Sequence, residues 1–365
     1  MTLQRDKIYL DILRIIAIFF VVFNHTPGFY FMPSSQAGEV EYWWLLLQNQ
    51  VVKMAVPMFL MVTGALLLPK EETIYEVLRK RVFRFFVVLL FVGLVQYVYY
   101  LVWKGADFVP LHIYLIVFHG KEYNCFYACW FLYAYMGILI MLPILRLIAK
   151  VITMRHALYI LGVQIVFCNV LPFFELILGK YFGYSSFAHW LPFHPDMGTL
   201  PYSYGYCVFY VLLGYFVEHR ISLETWRRYR VWGIVLAVVC LVAGGAGMEF
   251  ARACLGAMRI EQTIVYLTAF LPIPCMVAYL SLKSACADVP FKPTSRKTIA
   301  ALGSAVFTIM LFENLFRITL HQTRHVWQPD VGKLPAAVLM TAIIYILAML
   351  LGLVLKRIPI LKRIL

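Results

Sequence analysis

The sequence predicts an all-α, polytopic membrane protein with about ten transmembrane helices and both termini in the cytoplasm. Three observations lead to this prediction: the overall composition, the long apolar runs and the placement of the basic residues. Hydrophobic residues make up 63% of the chain and charged residues only 14%, whereas a soluble domain carries about 25% charged residues. A chain this apolar cannot cover itself with a polar surface in water, so lipid is its expected solvent.

Ten apolar runs are long enough to cross the hydrocarbon core, which takes about 20 residues of α-helix. They cover residues 8–28, 43–68, 82–103, 126–148, 156–178, 202–218, 231–249, 262–282, 299–320 and 334–355. Residues 107–120 are too short and too interrupted to span, and we expect an interfacial or re-entrant segment there. Aromatic residues near the ends of the runs, such as Trp43, Tyr97 and Trp103, are typical of interfacial anchoring belts.

The basic residues orient these spans. The segments that would face the cytoplasm hold 22 Lys and Arg, the alternate segments hold 8, and Arg14 and Lys53 lie inside spans. Because cytoplasmic loops carry the excess of basic residues, both termini are predicted to be cytoplasmic. The net charge of +14 predicts contact with anionic lipid head groups and an anionic cytosolic ligand. It does not indicate nucleic acid, because the basic clusters are short and separated by apolar runs.

The remaining sequence features exclude several other classes. The eight cysteines form no CxxC pair and no Cys/His cluster with metal-like spacing, so no metal site is expected. Cys125 and Cys129, near the predicted outer face, are the one pair worth testing for a disulfide. The first apolar run has no A-x-A-like cleavage site. We find no repeat and no appended soluble domain, so residues 1–365 are expected to form a single transmembrane domain.

The first span carries polar residues where lipid should disfavour them. A charge inside a span costs several kcal/mol, so it indicates function by default. Asp11 and Arg14 are three residues apart on one helix face and can pair. His25 lies eleven residues beyond Arg14, close to the same face and roughly 16 Å further along the axis. The structural alternative is an interfacial ion pair with a histidine at the outer rim.

Two further charges lie within predicted spans. Lys53 either lines a site or extends outward to the interface. Glu313 has apolar neighbours and therefore needs a partner. Arg317, four residues on, is one candidate for a purely structural pair.

A basic cluster at residues 79–84 enters the third span. A lipid-binding patch that also sets topology explains it without any further function. Arg81 and Arg84 are also one turn apart at the membrane boundary, a spacing suited to bidentate contacts with phosphates.

Taken together, these residues resemble membrane-bound acyltransferase family 3. The first span resembles the family's opening span, in which an Arg and a His are separated by ten residues. Five more stretches agree in order: KMAVPMFLMVTGALLL (53–68), RVFR (81–84), CWFLYAYMGILIMLPILRLI (129–148), FYVLLGYFVEHR (209–220) and LGSAVFTIMLFENLF (302–316). By length the chain resembles the single-domain members, such as the O-acetyltransferases of enterobacterial common antigen.

The resemblance implies a multi-pass enzyme of the bacterial plasma membrane. It would move an acyl group, with acetyl as the first candidate, from cytosolic acetyl-CoA or succinyl-CoA to a hydroxyl of a surface or lipid-linked carbohydrate. His25 would be the catalytic base or acyl carrier, because the unperturbed pKa of histidine lies near physiological pH. Arg14, beside Asp11, would be its essential partner near the CoA end. Direct attack and an acylated intermediate both stay open.

The resemblance also implies a set of supporting residues. Arg81 and Arg84 would hold the anionic donor, with Lys53 and Trp130 as pocket residues. Residues expected to contact the acceptor or support the site are Asn24, Tyr133 and Glu313.

The chain departs from the family pattern at two places. Glu313 stands where a His is common, and Ala128-Cys129 stands where a His often precedes the fourth span. His25 is therefore the one matched motif histidine that remains.

Two other classes of function stay open at this point. Intramembrane charges and aromatic residues would equally suit an exporter of polysaccharide or lipid-linked sugar that performs no acyl transfer. A sensor or membrane subunit of a larger enzyme is a third option, on analogy alone. The oligomeric state is open, with a homodimer as one option.

Overall fold

The computed structural model describes residues 7–26, 47–105, 107–109, 130–166, 178–179, 181–183, 202–255, 270–321, 333–359 and 361. Within these ranges all regular secondary structure is helical, so the all-α prediction is confirmed. The helices are α1 (Ile8–His25), α2 (Ala55–Leu67), α3 (Ile74–Val77), α4 (Phe83–Lys104), α5 (Trp130–Val151), α6 (Met154–Ile165), α7 (Tyr202–Arg220), α8 (Leu223–Leu255), α9 (Pro272–Asp288), α10 (Pro293–His321) and α11 (Lys333–Leu355). A π-helical turn, Leu78–Val82, joins α3 to α4.

Seven helical stretches in the described part of the chain are long and apolar enough to cross a membrane. They are Ile8–His25, Leu47–Leu67, Ile74–Tyr99, Phe131–Val151, Leu223–Gly247, Pro293–Leu320 and Pro335–Leu355. Each coincides with a predicted span, which confirms a polytopic membrane protein. Of the other three predicted spans, 202–218 forms helix α7, and 156–178 and 262–282 lie partly outside the described residues. The total of ten spans and the orientation stay predictions.

Local chemistry fixes both the start and the end of the third span. Thr73 and Glu76 form a capping box: Glu76 N–H donates to Thr73 Oγ1 (3.2 Å), and Thr73 N–H donates to Glu76 Oε2 (3.0 Å). This satisfies two backbone donors that a helix start leaves open. At the other end, α4 stops at Gly105, whose φ of 59° is left-handed and suits a residue without a Cβ.

The chain divides into two compact units. The first comprises Met1–Phe20, Phe31–Lys70 and Leu145–Lys297, and the second comprises Val21–Tyr30, Glu71–Ile144 and Thr298–Leu365. The single domain expected for residues 1–365 stays a prediction.

In the first unit, α2 and α7 pack through a glycine on each helix. A Cβ on Gly64 would lie 1.8 Å from the carbonyl oxygen of Val211, and one on Gly214 would lie 2.0 Å from that of Met61. Backbone meets backbone at both points. Small residues allow this approach, which matters in lipid because packing rather than the hydrophobic effect holds helices together.

A buried carboxylate at the end of α7 collects four polar side chains of the first unit. Glu218 Oε1 accepts from Lys7 Nζ (2.5 Å) and Tyr9 OH (2.7 Å). Its Oε2 accepts from Tyr279 OH (3.1 Å) and lies 2.9 Å from Lys283 Nζ. A buried carboxylate needs such pairing, so this Glu218 cluster ties the start of α1 to α7 and α9.

In the second unit, aromatic rings pack against one another in the core. The ring of Phe85 lies 5.1 Å from that of Tyr135 and 5.9 Å from that of Phe307, centroid to centroid. Tyr97 is buried within the protein, and its hydroxyl donates to the carbonyl oxygen of Val109 (3.0 Å) and accepts from the Val109 N–H (2.9 Å). Apart from residues 107–109, the predicted re-entrant segment lies outside the described residues.

Candidate active site

The last residue of helix α1 meets a buried carboxylate. His25 Nδ1 lies 2.7 Å from Glu313 Oε1, across 288 residues of sequence. The His25 side chain is 20% exposed and that of Glu313 only 1%. The carboxylate is therefore sealed inside the second unit, while the imidazole keeps one accessible edge. The end of a helix also suits a histidine that becomes positively charged, because the carbonyl groups there carry partial negative charge.

Arg317 does not pair with Glu313, although their spacing in the sequence allows it. Arg317 donates to Asn314 Oδ1 through Nε (3.1 Å) and through Nη2, and not to Glu313. Asn314 is itself buried. The second carboxylate oxygen of Glu313, Oε2, is buried and has no hydrogen-bond partner among the described residues. A buried carboxylate oxygen without a partner is costly, so it marks a place where another polar group belongs.

A pair of threonines fixes the end of α1 against α11. Thr26 Oγ1 lies 2.9 Å from Thr341 Oγ1. The Thr26 hydroxyl also donates to the carbonyl oxygen of Val22, one turn earlier in α1 (3.0 Å). Thr341 Oγ1 makes the matching contact with the carbonyl oxygen of Ala337 (2.8 Å). Both threonines are fully buried. They hold the residue next to His25 in place.

The predicted ion pair in the first span is confirmed. Arg14 Nη2 lies 2.9 Å from Asp11 Oδ1, and both side chains are partly exposed. Arg14 Nε also donates to the carbonyl oxygen of Leu10 (3.3 Å). Arg14 is eleven residues before His25 on the same helix, as the sequence requires.

The two arginines at the entry to the third span differ in their surroundings. Arg81 forms a bidentate pair with Glu72, with Nε to Oε2 and Nη2 to Oε1 both at 2.7 Å. Arg84 is exposed one turn further on, at the start of α4. Arg81 belongs to the π-helical turn Leu78–Val82, a distortion that is frequent at functional sites. An anionic ligand at Arg81 would have to share or replace the Glu72 carboxylate.

The other expected site residues lie on separate elements. Lys53 is half-buried in the candidate span Leu47–Leu67, and Asn24 is half-buried directly before His25. Tyr133 is half-buried near the start of α5. Trp130 is the first residue of that helix, and its side chain lies outside the described part. The cysteine pair 125 and 129 also lies outside it.

Two features of the described structure carried no signal in the sequence. Thr26 and Thr341 are small residues of a kind that is common in apolar spans. Glu218 lies at the end of a predicted span, and no local pattern indicates its partners. Glu313 did carry a signal, because a carboxylate in a span requires a partner. Among the described residues no three His, Cys, Asp or Glu side chains come together as they would around a metal ion.

Comparison with known proteins gives one match. A family model described as an acyltransferase domain matches residues 7–356. The match runs from the residue before α1 to the residue after α11, and so includes every candidate site residue. No curated protein and no solved structure matches the chain.

Proposed function

The chain belongs to acyltransferase family 3, and from this premise we propose that it transfers an acyl group from cytosolic acyl-CoA to a carbohydrate hydroxyl. Membership supports an O-acyltransferase acting on carbohydrates in general, and the apolar helices make it a multi-pass membrane protein. Acetyl-CoA is the first candidate donor and succinyl-CoA the second. The proposed setting is a bacterial plasma membrane with both termini in the cytoplasm.

The observation that supports this chemistry best is the contact between His25 and Glu313. An ionised carboxylate only accepts hydrogen bonds, so Glu313 Oε1 holds the proton of neutral His25 on Nδ1. The other ring nitrogen, Nε2, is then the base. The arrangement parallels the histidine–carboxylate pair of hydrolytic triads, in which the carboxylate sets the tautomer and stabilises the imidazolium.

The reaction follows from that tautomer. Nε2 of His25 takes the proton of the acceptor hydroxyl as its oxygen attacks the thioester carbonyl carbon. The new C–O bond forms, the C–S bond breaks, and the leaving CoA thiolate receives the proton from the imidazolium. Glu313 stabilises the imidazolium between these two steps. Its Oε2 is buried with the rest of the side chain, so the carboxylate would act through His25 and not on the acceptor directly.

The donor is assigned to the basic residues on the predicted cytosolic side. Arg81 and Arg84 would bind the phosphates of CoA, for which the planar, multidentate guanidinium is well suited. Arg14, toward the cytosolic end of the helix that carries His25, would neutralise charge nearer the thioester. Lys53 and Trp130 would line the donor pocket, and Asn24 and Tyr133 would support the acceptor side.

The test uses the full-length protein in lipid nanodiscs. We expect the wild type to release CoA thiol from acetyl-CoA in the presence of a surface-glycan extract, and His25→Ala to lose this release. His156→Ala is the matched control, because His156 is exposed and only caps a helix. Full transfer by a folded His25→Ala protein would remove His25 from the chemistry. Movement of glycan across the membrane without consumption of acetyl-CoA would favour an exporter.

A further inference from the structure

Helix α8 carries a seam of small, buried residues. Ala237, Cys240, Gly244 and Gly247 are spaced so that they share one helix face, and all four are buried. A seam of this kind in a membrane protein lets atoms of another segment approach the helix backbone closely. Packing alone explains such a seam when apolar groups lie on it.

A polar group lies on this seam instead. Gln50, in the candidate span Leu47–Leu67 of the same unit, has a fully buried side chain. A Cβ on Gly244 would lie 2.7 Å from Gln50 Oε1 and 3.1 Å from Nε2, so the amide is directed at the glycine. Neither atom has a hydrogen-bond partner among the described residues. Two donor hydrogens and a carbonyl oxygen are thus buried together, at a free-energy cost that a partner would remove.

We propose that Gln50 and the α8 seam bind a secondary amide of the pantetheine arm of acyl-CoA. The inference rests on the proposed function, because it takes acyl-CoA as the donor. A secondary amide offers one N–H and one carbonyl oxygen, which complement the carbonyl oxygen and NH₂ group of Gln50. The pantetheine arm is also a thin, flexible chain, which reaches an amide between packed helices more easily than a sugar ring does.

The predicted topology is consistent with this assignment. The span of residues 43–68 would start at the outer face, and Gln50 would lie about 10 Å inside it. A donor whose nucleotide stays at the cytosolic face would reach this depth with the thioester end of its arm.

The experiment measures binding of two ligands to the full-length protein in nanodiscs. Gln50→Leu is expected to raise the Kd of acetyl-CoA about tenfold, as loss of one or two hydrogen bonds predicts. It should leave unchanged the Kd of adenosine 3′,5′-bisphosphate, which lacks the pantetheine arm. Gln48→Leu, at a half-exposed glutamine of the same span, is the matched control and should change neither.

A second variant tests the seam independently. Gly244→Ala places a methyl group against the Gln50 amide and should weaken acetyl-CoA binding in the same selective way. Gly162→Ala is its control, because a Cβ there would meet nothing within 4 Å. The selective loss in both Gln50→Leu and Gly244→Ala supports the proposal.

The failure of this inference is distinguishable from failure of the proposed function. If the wild type binds acetyl-CoA and Gln50→Leu binds it equally well, the inference is overturned and the donor assignment stands. Equal weakening of both ligands, or a change confined to acceptor turnover, also overturns it. If the wild type binds neither ligand, the acyl-CoA donor of the proposed function fails.

Discussion

Replacing Glu313 by glutamine tests the role of the carboxylate with almost no change in shape. Glu313 is 1% exposed and its Oε1 lies 2.7 Å from His25 Nδ1. In Glu313→Gln the charge is lost, and the amide NH₂ becomes able to donate to Nδ1. That contact would move the imidazole proton to Nε2, the nitrogen required as the base.

The expected magnitude follows from the contact that is lost. A hydrogen bond to a charged group contributes about 1.5–3 kcal/mol, and about 1.36 kcal/mol of barrier corresponds to a tenfold change in rate. Losing the contact alone therefore lowers kcat about 10- to 150-fold. A shift to the wrong tautomer deepens the loss, and the corresponding change in serine protease triads costs about 10⁴-fold. Glu313→Asp keeps the charge and should retain more activity.

The assay is CoA thiol release under saturating acetyl-CoA, together with the Kd of acetyl-CoA measured separately. We expect kcat to fall in Glu313→Gln while the Kd stays constant, because the carboxylate acts on the base and not on the donor. Glu224→Gln, at an exposed glutamate in the first turn of α8, is the control. A folded Glu313→Gln protein with at least half the wild-type kcat would refute the assigned role.

Three further predictions address packing, anchoring and donor access. Gly64→Ala should destabilise the protein by about 1–3 kcal/mol or more in thermal unfolding, because its Cβ would lie 1.8 Å from a backbone oxygen. Thr26→Val should lower the free energy of unfolding by about 0.6 kcal/mol, and by at most about 1.7 kcal/mol, as loss of a hydrogen bond between membrane helices does. The double variant Thr26→Val/Thr341→Val should lose less than the sum of the two single variants, because the first change already breaks the hydroxyl pair. Glu72→Gln should lower the Kd of acetyl-CoA about two- to fivefold by releasing Arg81, whereas Arg81→Lys should raise it.

Each of these predictions has a result that contradicts it. If Gly64→Ala is as stable as the wild type and as the control Gly162→Ala, the close approach of α2 and α7 is absent. Additive costs for the two threonine changes would mean that their hydroxyls do not interact. Weaker acetyl-CoA binding in Glu72→Gln would show that the carboxylate supports the donor site rather than competing with the donor.

Sequence patterns predicted the features that depend only on residues close together in the chain. The pairing of Asp11 with Arg14 follows from their spacing on one helix, and the spans follow from runs of apolar residues. Seven of these spans have a matching helical stretch in the described part of the chain. The need of Glu313 for a partner also followed from its apolar neighbours.

Contacts between distant segments were beyond local patterns. Arg317 was a reasonable partner for Glu313 by spacing, but the fold brings His25 to it from 288 residues away. The hydroxyl pair of Thr26 and Thr341 is equally remote in sequence, and single threonines are common in apolar spans. Gln50 has no feature in the sequence that sets it apart, and only the fold shows its amide buried against Gly244.

Mass spectrometry of the cell-surface glycans tests the central claim most directly. The cells compared would lack this protein and then be complemented with the wild type, His25→Ala or His156→Ala at equal expression. We expect an acyl-sized mass increment on a carbohydrate in cells with the wild type or His156→Ala, and its absence with His25→Ala. Identical glycan acylation with and without the protein, or full acylation by His25→Ala, would contradict it.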